Sequence, residues 1–236
     1  MTNTASHLQE ALGLSAPPIA IGFSDRPPDG LEKWQGGAVP AGCAFWREAL
    51  NGRSFYTVPA DHYNCAVGAY THAIGLPAER GSQLEDTVNL MVAKEYLRME
   101  EVPGIPALPK TPAYISYAPV EEDRFPYDVV LMAAKPMSAM LIYEAALRAG
   151  AGTALTNALG RPACAVLPLA NNTGMASLSL GCMGNRTFAA LPAEEMYVCI
   201  PGRHWEAFVS KVGEINKANC DMREFYQNRK AEFSTT

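Results

Sequence analysis

The feature that most narrows the fold is an uninterrupted apolar hexapeptide, Val129-Val-Leu-Met-Ala-Ala134, halted by Lys135-Pro136. A strand with one face in water alternates apolar and polar residues, whereas a strand apolar at every position needs cover on both faces. The run over Val129 to Ala133 therefore predicts an interior strand of a sheet with helices on both sides. Pro136 fits the first turn of a helix, where its missing N–H is not needed. Met137, Met140, Leu141, Ala145 and Leu147 carry that helix towards Gly150.

The rest of the chain alternates in the same way. Strand patterns fall at Ile19–Phe23, Ser54–Val58, Ala113–Ala118, Ala176–Leu180 and Met196–Ile200. Helical spacing is found at His7–Leu14, Ala44–Leu50, Ala66–Ile74, Leu84–Met99, Pro162–Leu169 and Gly202–Lys217. Strands interleaved with helices predict an α/β fold, with a mixed sheet and flanking helices. One domain over residues 1–236 is expected, with a half boundary near 103–112, where four prolines fall in ten residues. Each half offers a strand, a helix stopped by glycine and a pair of cysteines, so pseudo-two-fold halves are an open reading.

Composition removes several function classes. With 19 basic against 24 acidic residues and a net charge of -5, there is no basic stripe of the kind a nucleic-acid partner requires. No apolar stretch approaches the roughly 20 residues that span a bilayer. Met1–His7 has neither a basic n-region nor an apolar run, so a cytoplasmic location with reduced thiols is expected. The motifs G-x-S-x-G, the P-loop, G-x-G-x-x-G and Cys-x-x-Cys-His are all absent from the sequence, which leaves serine hydrolysis, P-loop nucleotide chemistry, classical dinucleotide binding and c-type haem attachment unsupported.

Six cysteines remain. Four sit in loop-like, glycine-flavoured contexts: Gly42-Cys43, Cys65-Ala-Val-Gly68, Gly160-Arg-Pro-Ala-Cys164 and Gly181-Cys182-Met-Gly184. Small neighbours let backbone N–H groups approach a sulfur, as the outer shell of a metal ligand does. Cys199 lies inside an apolar strand pattern, where packing explains it, and Cys220 follows Asn219 at an apparent helix start and reads as incidental. No Cys-x-x-Cys pair exists, so the spacing is no recognised ligand signature, and four separately packed thiols remain the plain alternative. His62 lies three residues before Cys65, a spacing that suits a mixed His/Cys metal site or an ordinary polar loop residue. His72 and His204 are weaker candidates. The methionines, Met132, Met137, Met140, Met175 and Met183 among them, read as core filler.

The chain resembles the family labelled domain of unknown function 169, common in anaerobic bacteria and archaea. The resemblance is carried by Pro17-Pro-Ile-Ala-Ile-Gly-Phe23, by Cys43, by Cys65 followed by Ile74-Gly75-Leu76, and by Tyr127-Asp-Val-Val-Leu131 with Pro136. It closes on Cys164, Ser179-Leu-Gly-Cys-Met-Gly-Asn-Arg186 and Ile200-Pro201-Gly202. It implies that Cys43, Cys65, Cys164 and Cys182 belong together and sets Cys199 and Cys220 aside; the family label carries no reaction.

The resulting expectation is a redox or cluster-dependent protein of anaerobic small-molecule metabolism. In it, Cys43, Cys65, Cys164 and Cys182 hold a [4Fe–4S] iron–sulfur cluster for electron transfer, and Arg186 offsets its charge. Zinc on the same thiolates is the alternative cofactor, in a zinc-stabilised or haem- or small-molecule-binding module without catalysis. Long-range, unpaired ligand spacing is unlike a self-folding zinc knuckle, which favours the cluster. Expected partners are a small-molecule substrate or a redox protein, with no nucleic acid and no membrane, and a homo-oligomer left open.

Overall fold

The computed structural model describes residues 4–152, 158–159 and 161–234. Its centre is the apolar hexapeptide: β4 (Val129–Ala134) is buried at all six positions. β4 pairs antiparallel on one side with β1 (Ile19–Ser24), Leu131 facing Ile19, and on the other with β7 (Met196–Pro201), Leu131 facing Cys199. Outward from β1 lie β3 (Tyr114–Pro119) and β2 (Phe55–Thr57), both antiparallel to their neighbours. Outward from β7 lie β6 (Ser177–Ser179) and β5 (Ala158–Leu159), the last pair parallel. The sheet is therefore mixed, in the order β2-β3-β1-β4-β7-β6-β5.

Alternate residues of β4 serve different layers, as strand geometry requires. Val130, Met132 and Ala134 join a core with Leu8 and Leu12 of α1 (Thr4–Leu12), Ile142 and Ala145 of α5 (Pro136–Arg148), and Phe208 and Val212 of α8 (Trp205–Ser234). Val129, Leu131 and Ala133 join the opposite core with Phe45 and Trp46 of α2 (Cys43–Leu50), Ala69 of α3 (Ala66–Thr71), and Val166 and Leu167 of α6 (Val166–Thr173). The expected interior strand and the helix packed on it are both present, and all four candidate cysteines lie on the α2–α3–α6 side.

The open reading of two matching halves is not confirmed: among the described residues the sheet takes three strands (β1–β3) from the first part of the chain and four (β4–β7) from the rest. Their helices do not correspond, since α4 (Gln83–Ala93) has no counterpart in the second half and α5 none in the first.

Several boundaries differ from expectation for local backbone reasons. α3 stops at Thr71 because Ala73 turns left-handed (φ 55°), before Gly75 is reached. Glu95 (φ 55°) likewise ends α4 well short of Met99. Cys220, expected at a helix start, lies exposed inside α8, a single helix of 30 residues. The short helix α7 (Met183–Phe188) falls where a loop was expected. Among the described residues no helix is long and apolar enough to cross a membrane.

Candidate functional site

Each of the four candidate cysteines stands at the entrance to a helix rather than in an open loop. Cys43 is the first residue of α2, Cys65 is the N-cap of α3, Cys164 lies in the 3-10 turn leading into α6, and Cys182 is the N-cap of α7. The first turn of a helix leaves N–H groups without carbonyl partners. Here sulfur takes the role usually played by a Ser or Asp oxygen: Gly68 N–H donates to Cys65 Sγ at 3.3 Å and Asn185 N–H to Cys182 Sγ at 3.4 Å. Glycine at position 68 eases the approach, since a Cβ there would sit a tight 3.2 Å from Cys65 Sγ.

These four helix entrances line one cavity of about 600 Å³. Cys43, Cys65, Cys164 and Cys182 form its inner wall together with Asn185. Its outer wall is one face of α4, with Leu84, Val88 and Met91, continued by Tyr96, Leu97, Val102 and Ile105. Arg161 lies at the mouth with its guanidinium over the Tyr96 ring, 4.6 Å from the centroid, and Lys94, also exposed, lines the same cavity.

The thiols of Cys43, Cys65 and Cys164 are held in their neutral form. Burial pushes the Cys43 thiol up to about 12, opposed by a hydrogen bond from Asn185 and reinforced by Cys65 and Cys182. Burial also raises Cys65, although the N–H groups of Gly68, Val67 and Gly42 favour its thiolate. Cys164 is raised well above the ordinary thiol value, again by burial first, with a hydrogen bond from Thr71 opposing. Desolvation dominates wherever a thiol lacks a full positive neighbour.

Behind the inner wall two histidines stack with ring centroids 5.7 Å apart. His62 is 2% exposed; its Nε2 lies 2.8 Å from Thr57 Oγ1, while Nδ1 has no partner. His72, equally buried, donates from Nδ1 to Gly68 O at 2.9 Å and leaves Nε2 without a partner. Burial depresses both, His62 to about 3.

The iron–sulfur expectation is corrected by the donor geometry. Among the described residues no three His, Cys, Asp or Glu side chains come together as a group able to hold a metal ion. The four sulfurs share a cavity but do not converge on a common centre, and two of them are engaged as helix caps. The [4Fe–4S] cluster and the electron transfer built on it therefore have no support, and the zinc alternative is left without a ligand set among these residues. His62 turns to Thr57 and the protein interior rather than joining Cys65 as a ligand.

Arg186 has a different task from the charge-offsetting one expected. Its guanidinium donates to the carbonyls of Leu180, Pro192, Leu191 and Glu195, at 2.6, 2.6, 3.4 and 3.2 Å, and so ties both ends of α7 to the start of β7. Cys199, fully buried in β7, packs in the core as expected. His204 lies outside the cavity, within hydrogen-bond reach of Arg203 on the surface. Gly160, part of the expected Cys164 context, lies outside the described residues.

Sequence reasoning missed the outer wall and Asn185. The signals were present: Leu84, Val88 and Met91 recur at helical spacing, and Cys182-Met-Gly-Asn185 repeats the cap spacing of Cys65-Ala-Val-Gly68.

Neither curated proteins nor solved structures give a match to this chain. A family model described as an uncharacterised ArCR family, domain of unknown function 169, does match, over residues 7–211, a span that includes all four cysteines and both cavity walls; the chain belongs to that family.

Proposed function

We propose that the protein is a binding module for a small, predominantly apolar organic molecule held between α4 and the cysteine wall. The observation that carries this reading is α4 itself. It has 11 residues and not one is fully buried, although Leu84, Val88 and Met91 form an apolar stripe along the cavity. A helix this short is marginal in water unless an apolar face is packed. A ligand in the cavity would supply the missing contacts, at roughly 25 cal/mol for each Å² of apolar surface withdrawn from water.

The wall chemistry supports an uncharged, polarisable ligand body. The protonated thiols of Cys43, Cys65 and Cys164 carry no charge into the cavity, and the sulfurs lining it, those of Met91 and Met183 included, suit aromatic or other soft surfaces. Ligand sites of about 300–1,000 Å³, mostly apolar with a few placed polar groups, are the ordinary kind. Positive charge is confined to the mouth, at Arg161 and Lys94.

N-phenyl-1-naphthylamine, whose fluorescence rises in apolar surroundings, is a suitable probe. The expected result is a saturable single-site titration, weakened roughly tenfold or more by Val88→Asp, which would place a carboxylate against the ligand. Absence of saturable binding, or binding indifferent to both Val88→Asp and Met91→Lys, would remove the proposal.

A further inference from the structure

The inner wall of the cavity carries one buried polar atom without a partner. Asn185 is 1% exposed, yet its side-chain Oδ1 has no hydrogen-bond partner. Such an acceptor left unpaired out of water costs about 1–3 kcal/mol, and buried polar atoms without partners are rare enough to need a reason.

The side chain has little freedom to turn away. Its backbone N–H is committed to the Cys182 sulfur, and its Nδ2 donates to Tyr197 Oη at 3.3 Å. Tyr197 is itself fixed, buried in β7 with its ring edge-on to Trp46 at 5.1 Å. The amide is thus held from both ends, and its remaining acceptor, buried on a residue that lines the cavity, is left without a partner.

Resting on the binding role proposed above, we infer that Asn185 is the specificity-determining residue of the cavity, and that it selects ligands carrying an N–H or O–H donor on their buried apolar body. The chemical class is a hydroxylated or N–H-bearing aromatic or alicyclic molecule. A hydrocarbon of the same shape would fill the space and leave Oδ1 unpaired, so discrimination should be large compared with that between two purely apolar ligands.

Displacement of N-phenyl-1-naphthylamine by three matched molecules tests this: 2-naphthol, 2-methylnaphthalene and 2-methoxynaphthalene. Wild-type protein should bind 2-naphthol about tenfold more tightly than 2-methylnaphthalene, with 2-methoxynaphthalene, an acceptor only, ranking beside the hydrocarbon. In a wall without a free acceptor the order reverses, because the hydroxyl would lose its water for nothing. Asn185→Leu should produce that reversal. Should this variant fail to fold, the wild-type ranking decides alone. Equal or inverted affinities in wild type, or a methoxy compound as tight as the naphthol, overturn the inference while leaving the cavity reading intact. Failure of the fluorescent probe to bind overturns the cavity reading instead.

Discussion

Acid should destabilise this protein well before its ordinary carboxylates protonate, and the stacked histidines set the size of the effect. His62 is enclosed: Thr57 takes its Nε2, the His72 ring lies over it, and a Cβ on Gly42 would sit 2.9 Å from Nδ1. Burial, with His72 as a second contribution, lowers its pKa from 6.5 to about 3. The folded state therefore keeps His62 neutral, whereas the unfolded chain takes up a proton near pH 6.5. Above pH 6.5 nothing is lost. As pH falls from 6.5 towards 3, stability drops by up to 1.36 kcal/mol per pH unit, approaching roughly 4–5 kcal/mol in all. That is a large share of the 5–15 kcal/mol typical of a folded domain, and His72, shifted the same way, adds to it. The assay is urea unfolding at half-unit steps between pH 7.5 and 5, a window above the usual carboxylate range. Wild type should lose stability progressively below pH 6.5, and His62→Phe should remove one proton's worth of that slope whatever its effect on stability at pH 7. A stability that is flat between pH 7 and 5, or a slope unchanged in His62→Phe, would refute the reasoning.

Other consequences follow from the same packing. Leu131→Ala, emptying a position buried from both neighbouring strands, should cost about 2–5 kcal/mol in the unfolding free energy; a cost below 1 kcal/mol would contradict an interior β4. Iodoacetamide at pH 8 should label exposed Cys220 first and Cys43 far more slowly, with Cys43 reactivity rising only as pH approaches 12, as read by peptide mass spectrometry. Equal labelling of the two at pH 8 would show that the Cys43 thiol is not held protonated. Arg186→Ala removes donors from four carbonyls around α7; it should speed amide exchange across residues 180–195 while leaving β1 and β3 protected, and uniform exchange would show that Arg186 braces nothing locally.

What was legible in the sequence was what a single physical constraint dictates. A strand apolar at every position must be covered on both faces, so β4 and α5 could be placed from Val129–Ala134 and Pro136 alone. α7 and β5 were not legible, because Met183–Phe188 and Ala158–Leu159 are too short to show a period and owe their form to neighbours. The four cysteines were singled out, but their chemistry was misread. Glycine beside cysteine suggested N–H groups turned towards cluster ligands, whereas the N–H groups of Gly68 and Asn185 belong to helix first turns that Cys65 and Cys182 cap, and Gly42 leaves room for His62. A thiol cap has no place among the usual Ser, Thr, Asp and Asn signals, so four loop ligands were inferred where four helix entrances stand. The α4 stripe and the cap spacing at Asn185 were visible in the sequence, but that they line one cavity was not.

Protein crystals soaked with 6-bromo-2-naphthol offer the most direct measurement, read from an anomalous difference map at the bromine edge. The binding role predicts a bromine peak enclosed between Val88 and Met91 of α4 and the wall formed by Cys43, Cys65, Cys164 and Cys182. Bromine found only on the outer surface, with the cavity unfilled at saturating probe, would contradict it.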